Sequence, residues 1–268
     1  MSDVLRARGL LKTYRRGRAV DGVDLTVRRG ERVALLGPNG AGKTTTLLMC
    51  LGVVEPDGGT VEVVGHRLPR GRSAAMAHVG FAAGYLPLPE RLRVGEYLRM
   101  YGQLYGLADP DTQARRGLER FGIPHLAKVM GTELSSGQKT LIGIVKATMH
   151  DPELLVLDEP TASLDPDVAL RVRVGLAELC EERGTAMLVT SHNMIEVERI
   201  AERVVFLSAG RVVADGPPDQ VAARFGRDDL EEVFLHLASV RQATTAQPAG
   251  DPVPQGGRGP RNPTGVPR

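Results

Sequence analysis

The sequence predicts an α/β fold: a parallel core around a phosphate-binding loop, an antiparallel β piece beside it, and an inserted helical subdomain. Three observations carry that prediction. Gly37-Pro38-Asn39-Gly40-Ala41-Gly42-Lys43-Thr44 fits the pattern G-x-x-x-x-G-K-[ST]; the apolar run Arg32 to Leu36 precedes it and a helix start at Thr45 follows it. Leu154-Leu155-Val156-Leu157 is wholly apolar, which suits a parallel strand covered on both faces, and it ends at Asp158-Glu159. Between these two, from about Tyr85 to His150, helical periodicity dominates.

The glycine loop has the residue types that a polyphosphate needs. Glycines at 37, 40 and 42 let backbone N–H groups turn inward with no Cβ in the way. The helix that follows adds the positive end of its dipole. Lys43 is expected to reach the β and γ phosphates, and the Thr44 hydroxyl to hold Mg2+.

Length and composition set the frame. A chain of 268 residues buries a sizeable core, as one domain or one domain with a subdomain. The net charge of +2, with arginines spread along the chain, gives no strong case for nucleic acid from charge alone, and none is expected as a partner. Cys50 and Cys180 lie in helical patterns and read as reduced, buried thiols. No run approaches the roughly 18 apolar residues of a membrane span, and no signal peptide opens the chain. The expectation is a soluble, cytoplasmic protein; any membrane part must come from another chain.

In chain order, Val4 to Leu10 reads as a strand, and Lys12-Thr13-Tyr14 as the start of a polar loop. The Tyr14 ring either stacks on an adenine or simply packs. Asp24 to Val27 and Arg32 to Leu36 read as strands around the turn at Arg29-Gly30. Thr60 to Val64 is β-rich after the turn cluster Glu55 to Gly59. His78 to Ala82 is a further strand. Val94 to Tyr105 and Thr112 to Phe121 read as helices. Tyr97, Tyr101 and Tyr105 share one helix face, either as the core of the helical subdomain or, with the apolar loop Tyr85 to Pro89, as a docking surface. Leu134-Ser135-Ser136-Gly137-Gln138 opens a helix to about His150, capped by Ser135 or Ser136. Asp165 to Arg183 is a helix stopped by Gly184. Ala186 to Thr190 is a strand, Met194 to Ala201 a helix, and Val204 to Leu207 with Arg211 to Ala214 a hairpin. From about Gln242 the chain is rich in Pro, Gly, Arg and Thr, so 1–240 is expected as the folded domain and 241–268 as a disordered tail.

The chemistry gathers at a few positions. Asp158 at a strand end suits a Mg2+ ligand, and Glu159 a general base that polarises water. His192 either has a structural role or hydrogen-bonds a γ-phosphate. The start at Ser135-Ser136-Gly137 is a second phosphate-accepting helix terminus, which suggests that each ATP is shared between two subunits.

These motifs, in this order, resemble the ATP-binding subunit of an ABC transporter over Val4 to Val221. Gly37 to Thr45 resembles Walker A, and Leu154 to Glu159 Walker B with its catalytic Glu. Leu134 to Gln138 resembles the signature LSGGQ, with Ser136 replacing its first Gly. Ser163-Leu164-Asp165 resembles the D-loop, His192 the switch histidine, and Tyr14 the adenine-stacking aromatic. The resemblance implies a P-loop NTPase core with an antiparallel β subdomain and an inserted helical subdomain at about 85–150. It implies ATP and Mg2+ bound by Tyr14, Gly37, Pro38, Asn39, Gly40, Ala41, Gly42, Lys43, Thr44, Thr45 and Asp158. Ser135, Ser136, Gly137 and Gln138 would then contact ATP on the opposite subunit. It implies a second ATP-binding subunit, a membrane permease, and a place on the cytoplasmic face of the cell membrane. Asp228 to Leu235 resembles the C-terminal segment of the ABC-2 exporter branch, which favours export. A non-transport ATPase of the family, or a weakly hydrolysing regulatory subunit, is the alternative. One departure stands out: alignment puts Gly84 where the family has a Gln that touches Mg2+ or water and relays nucleotide state, so slower hydrolysis or looser coupling is expected.

Overall fold

A computed structural model describes residues 2–15, 17–84 and 87–245. Apolar residues alternate along the first two segments, and these form long strands. In β1 (Asp3–Tyr14) and β2 (Gly17–Arg28), Leu5, Ala7, Val23, Leu25 and Val27 are buried, and the strands pair antiparallel from Asp3 opposite Arg28 to Tyr14 opposite Gly17. Lys12 to Tyr14 are therefore strand, not the expected loop. Their pairing with β2 and the bonds from Lys12 Nζ and Thr13 N to the Asp57 carboxylate (2.8 and 2.7 Å) hold them extended. β4 (Gly58–Val63) adds to the other edge of β1, and the short β5 (His66–Arg67) completes a sheet ordered β2-β1-β4-β5.

The second sheet has six strands, ordered β10-β9-β3-β8-β7-β6. Its members are β3 (Arg32–Leu36), β6 (Val79–Ala83), β7 (Leu154–Asp158), β8 (Ala186–Thr190), β9 (Arg203–Ser208) and β10 (Arg211–Gly216). All are parallel except β10, which pairs antiparallel with β9 as the expected hairpin. β2 and β3, neighbours across Arg29-Gly30, thus belong to different sheets. Side-chain alternation sorts the core into two layers. Leu36, Leu155, Leu157, Met187 and Val189 face the helical side, while Val33, Leu35, Val156 and Leu188 face the antiparallel sheet and α1 (Lys43–Cys50).

The helical subdomain consists of α3 (Val94–Leu104), α4 (Pro110–Arg120), two short 3-10 turns, and α5 (Ser136–Thr148). It is packed tightly: a Cβ on Gly102 would come within 2.6 Å of Pro110, and one on Gly117 within 2.7 Å of Val145. The tyrosine stripe packs inside this subdomain. Tyr97 is 5% exposed, Tyr101 meets it edge-on at 5.0 Å, and Tyr105 stacks on His150 at 3.7 Å. Tyr85 and Leu86 of the proposed docking loop lie outside the described residues.

The helix α6 (Pro166–Arg183) ends at Gly184 in the left-handed conformation, φ 66°, as its sequence requires. A short α2 (Arg72–Met76) precedes β6, and α7 (Met194–Ile200) precedes β9. Two further helices follow, α8 (Pro218–Arg224) and α9 (Leu230–Thr245), and α9 buries Leu230 and Val233. The last helix runs past the expected boundary at 240, and 246–268 lie outside the described residues. Cys50 and Cys180 are buried free thiols, and burial pushes the Cys180 thiol up to about 11. Among the described residues, no helix is long and apolar enough to cross a membrane.

Candidate functional site

The glycine loop leaves the carboxyl end of β3 and passes between β9 and β2. Space there is too small for side chains. A Cβ on Gly37 (φ 142°) would sit 2.2 Å from the Leu207 carbonyl oxygen, and one on Gly42 (φ 107°) 2.6 Å from that of Ala19. The bond from Gly210 N to Ala41 O (3.0 Å) ties the loop to the β9–β10 turn. Asn39 and Gly40 are exposed at its crest, while Pro38 and Ala41 are buried. α1 then begins with Gly42 at its N-cap, no capping side chain and no acid in its first turn. Its first N–H groups are open to an anion, Thr44 is exposed and Thr45 half-buried.

Lys43 folds back over the loop, and its Nζ donates to Gly37 O (2.6 Å) and Pro38 O (3.5 Å). Burial lowers its pKa, while the charges of Glu159 and Asp158 act in the other direction. Lys43 thus lies within the electrostatic reach of both carboxylates, although β3 and β7 are separated by β8.

Asp158 is the last residue of β7, 7% exposed, and lies in register with Thr190 of β8. Glu159 steps into the left-handed region at φ 53°. Its Oε2 meets His192 Nδ1 at 2.6 Å, and the His192 backbone N–H also donates to it at 3.3 Å. The sequence pattern named all three residues but not their contact. It also missed Thr190, whose hydroxyl donates to Asp158 Oδ1 at 2.5 Å. A hydroxyl closing the otherwise apolar Ala186 to Val189 was the available signal.

The second group lies on α5. Ser135 caps the helix, accepting from Gln138 N (3.2 Å), while Gln138 Oε1 accepts from Ser135 N (2.9 Å). Ser135 and Ser136 are exposed, and no acid lies in the first turn. Gly137 lets the 163–165 loop approach: a Cβ there would meet Ser163 O at 3.0 Å and Leu164 Cδ2 at 3.3 Å. The Ser163 and Thr140 hydroxyls meet at 3.1 Å. Asp165 stands at the N-cap of α6 without a side-chain capping bond.

Tyr14 is 44% exposed at the end of β1, with Lys12 Nζ 5.8 Å from its ring centre. Gly84 follows Ala83, which lies level with Asp158 across the β6–β7 ladder. A Cβ on Gly84 would meet only Thr140 Oγ1, at 3.8 Å. The donor set fits Mg2+: an exposed Thr44 hydroxyl and an Asp158 carboxylate are hard oxygen ligands. Among the described residues no group of three His, Cys, Asp or Glu side chains gathers to hold a metal alone. The ion would therefore need the nucleotide's oxygens as well.

A family model described as ABC transporter matches residues 20–162. The chain is 37% identical over 225 residues to the Nod factor export ATP-binding protein I of Paraburkholderia xenovorans (strain LB400), covering 83% of this chain and 74% of that protein. It is 34% identical over 242 residues to the linearmycin resistance ATP-binding protein LnrL of Bacillus subtilis (strain 168), covering 90% and 77%. A solved ATP-binding subunit of an ABC transporter superposes with a TM-score of 0.79 at 31% identity, over 88% of this chain and 99% of that one. The chain therefore belongs to the ABC transporter family, as one of its ATP-binding, ATP-hydrolysing subunits.

Proposed function

We propose that this chain is the motor of an exporter, working as a pair of copies on the cytoplasmic face of a membrane permease. One observation carries the paired site: α1 and α5 both begin with no acid in the first turn, and both starts reach the surface. Each offers open N–H groups to an anion.

The geometry supports the following roles. The backbone of Gly37 to Thr45 and the Lys43 ammonium bind the phosphates, Lys43 exchanging the carbonyls of Gly37 and Pro38 for phosphate oxygens. Tyr14 stacks on the adenine. Thr44 and Asp158 would hold Mg2+, whose charge would offset that of the phosphates. Glu159 accepts the proton of the attacking water, held in place by His192. With Nδ1 engaged by Glu159, the other ring nitrogen of His192 is left for the γ-phosphate. Ser135, Ser136, Gly137 and Gln138 of the second copy close on the same phosphate, and Ser163, Leu164 and Asp165 carry the contact between the copies. Loss of the bridging phosphate opens the pair, and the helical subdomain passes that movement to the permease. Export is supported by the relatives' names, a Nod factor export protein and a linearmycin resistance protein.

Glu159→Gln keeps the shape of the base and removes its proton acceptance. With ATP and Mg2+ it is expected to elute from gel filtration as a dimer, while the parent chain returns to monomer as it turns over. A variant that stays monomeric with ATP, both alone and with the permease, rules out the shared site.

A further inference from the structure

We propose that Thr190 is a positioning residue for ATP hydrolysis, one hydroxyl that fixes both Asp158 and Glu159. The inference rests on the reading of those two carboxylates given above. Thr190 closes β8, the strand between β3 and β7, and is fully buried. It lies in register with Leu35, two residues before the glycine loop, and with Asp158.

The other residues of β8, Ala186 to Val189, are apolar and buried. Packing alone would be met by Val, which has nearly the shape of Thr. The hydroxyl is instead fully used. A hydroxyl has one proton to give, and Thr190 gives it to Asp158 Oδ1 at 2.5 Å. This fixes the carboxylate's rotation and commits one oxygen, leaving Oδ2 for a metal. The same Oγ1 accepts the backbone N–H of Glu159 at 3.1 Å, an N–H shared with the Thr190 carbonyl at 3.2 Å.

That second bond acts where the chain is strained. Glu159 holds φ 53°, a region that side-chain-bearing residues seldom adopt. The N–H clamp keeps Glu159 in this turn, and the turn brings Oε2 to His192 Nδ1 at 2.6 Å. Metal ligand and base are thus set by one atom. A misplacement of about 1 Å in such groups costs about a hundredfold in rate.

The test compares Thr190→Val, Thr190→Ser and Asp158→Asn in the full chain. ATPase rates are measured across a Mg2+ titration, and a fluorescent ATP analogue is bound in EDTA and in Mg2+. Thr190→Val is expected to lower kcat about tenfold to a hundredfold, as for loss of a hydrogen bond to a charged group. It should also raise the Mg2+ concentration for half-maximal rate several-fold and blunt the gain in analogue affinity that Mg2+ brings, with affinity in EDTA unchanged. Thr190→Ser should restore most of both. Parent-like kcat and Mg2+ dependence in Thr190→Val, or Ser as impaired as Val, overturns the proposal. Asp158→Asn separates the two readings: if its Mg2+ dependence is unchanged, the assignment of Asp158 fails; if it is lost while Thr190→Val behaves as the parent, only the role of Thr190 fails. Should Thr190→Val not fold, Thr190→Ala against Thr190→Ser gives the same comparison.

Discussion

Gly84 is expected to slow hydrolysis through the side chain it lacks. It lies one position beyond the Ala83–Asp158 pair, beside the carboxyl ends of β6 and β7. The nearest atom to an added Cβ is Thr140 Oγ1 at 3.8 Å, an ordinary contact. Nor does Gly84 occupy the positive-φ region that would strain another residue. A Cβ is therefore accommodated here, beside the carboxyl end of β7. Gly84→Gln is expected to fold as the parent does and to raise the ATPase rate several-fold, because an amide there can orient water or complete the shell around Mg2+. An unchanged rate removes the link between Gly84 and slow turnover. At this scale the sequence was legible wherever chemistry is local. Gly37 to Thr44 and Asp158-Glu159 announce themselves by spacing, because a tight loop or a strand end fixes the whole group. Thr190 left only a weak signal, a hydroxyl after four apolar residues, because its partners come from the β7–β8 register, 31 and 32 residues away.

Elements were legible in proportion to how much of each is buried. β8 appears at the expected bounds because all five of its residues are buried and Gly184 stops the helix before it. β1 and β2 each run to 12 residues, well past their apolar stretches, because pairing holds polar segments such as Lys12 to Tyr14 extended. α8 and α9 lacked a local signal as strong as a glycine loop; packing of α9 on α7 buries Leu230 and Val233. The tyrosine face of α3 had two readings, and the structure selects packing, with His150 at its end. Burial lowers the His150 pKa from 6.5 to about 4; the charges of Lys146 and His78 reinforce this, and the nearby Val79 backbone acts the other way. Between pH 6.5 and 4 the unfolded chain takes up a proton at this site that the folded chain refuses. The site therefore supports stability fully above pH 6.5 and loses that support as pH falls toward 4. His150→Phe keeps a ring against Tyr105 and removes the titration. Its melting temperature should fall less than the parent's between pH 7 and pH 5. Parallel pH profiles for the two chains would exclude His150 as a source of acid sensitivity.

The two sheets must stay aligned, because the glycine loop lies between β2 of one and β9 of the other. One side chain at the opposite end of β3 bridges the two sheets. Arg203, first in β9, donates from Nε to Glu31 Oε1 (2.6 Å), from Nη2 to Thr26 O of β2 (2.5 Å), and from Nη1 to Asp215 of β10 (2.8 Å). Glu31, in the β2–β3 turn, also accepts from Arg28 N at 2.8 Å. The Glu31–Arg203 pair spans 172 residues of sequence, which is why no local pattern reveals it. Its side chains are 12% and 20% exposed, so solvent screens the pair little. Burial pushes the Glu31 carboxyl up, but the bonds from Arg203 and Arg28 outweigh it and hold its pKa below the usual 4.5. A depressed carboxylate pKa contributes stability above pH 4.5 and loses it as pH falls through the folded value. Glu31→Gln keeps the shape and removes the charge, leaving Arg203 paired with Asp215 alone. At pH 7 the loss should be about 2 kcal/mol, read as a fall of about 4–8 °C in Tm. The gap should narrow only as pH falls below 4.5 and through the folded value, where the parent's Glu31 becomes neutral too. If it stays equally wide there, the ion pair is not what joins the sheets, and the covering layer of Val33, Leu35 and Leu188 must hold them together unaided.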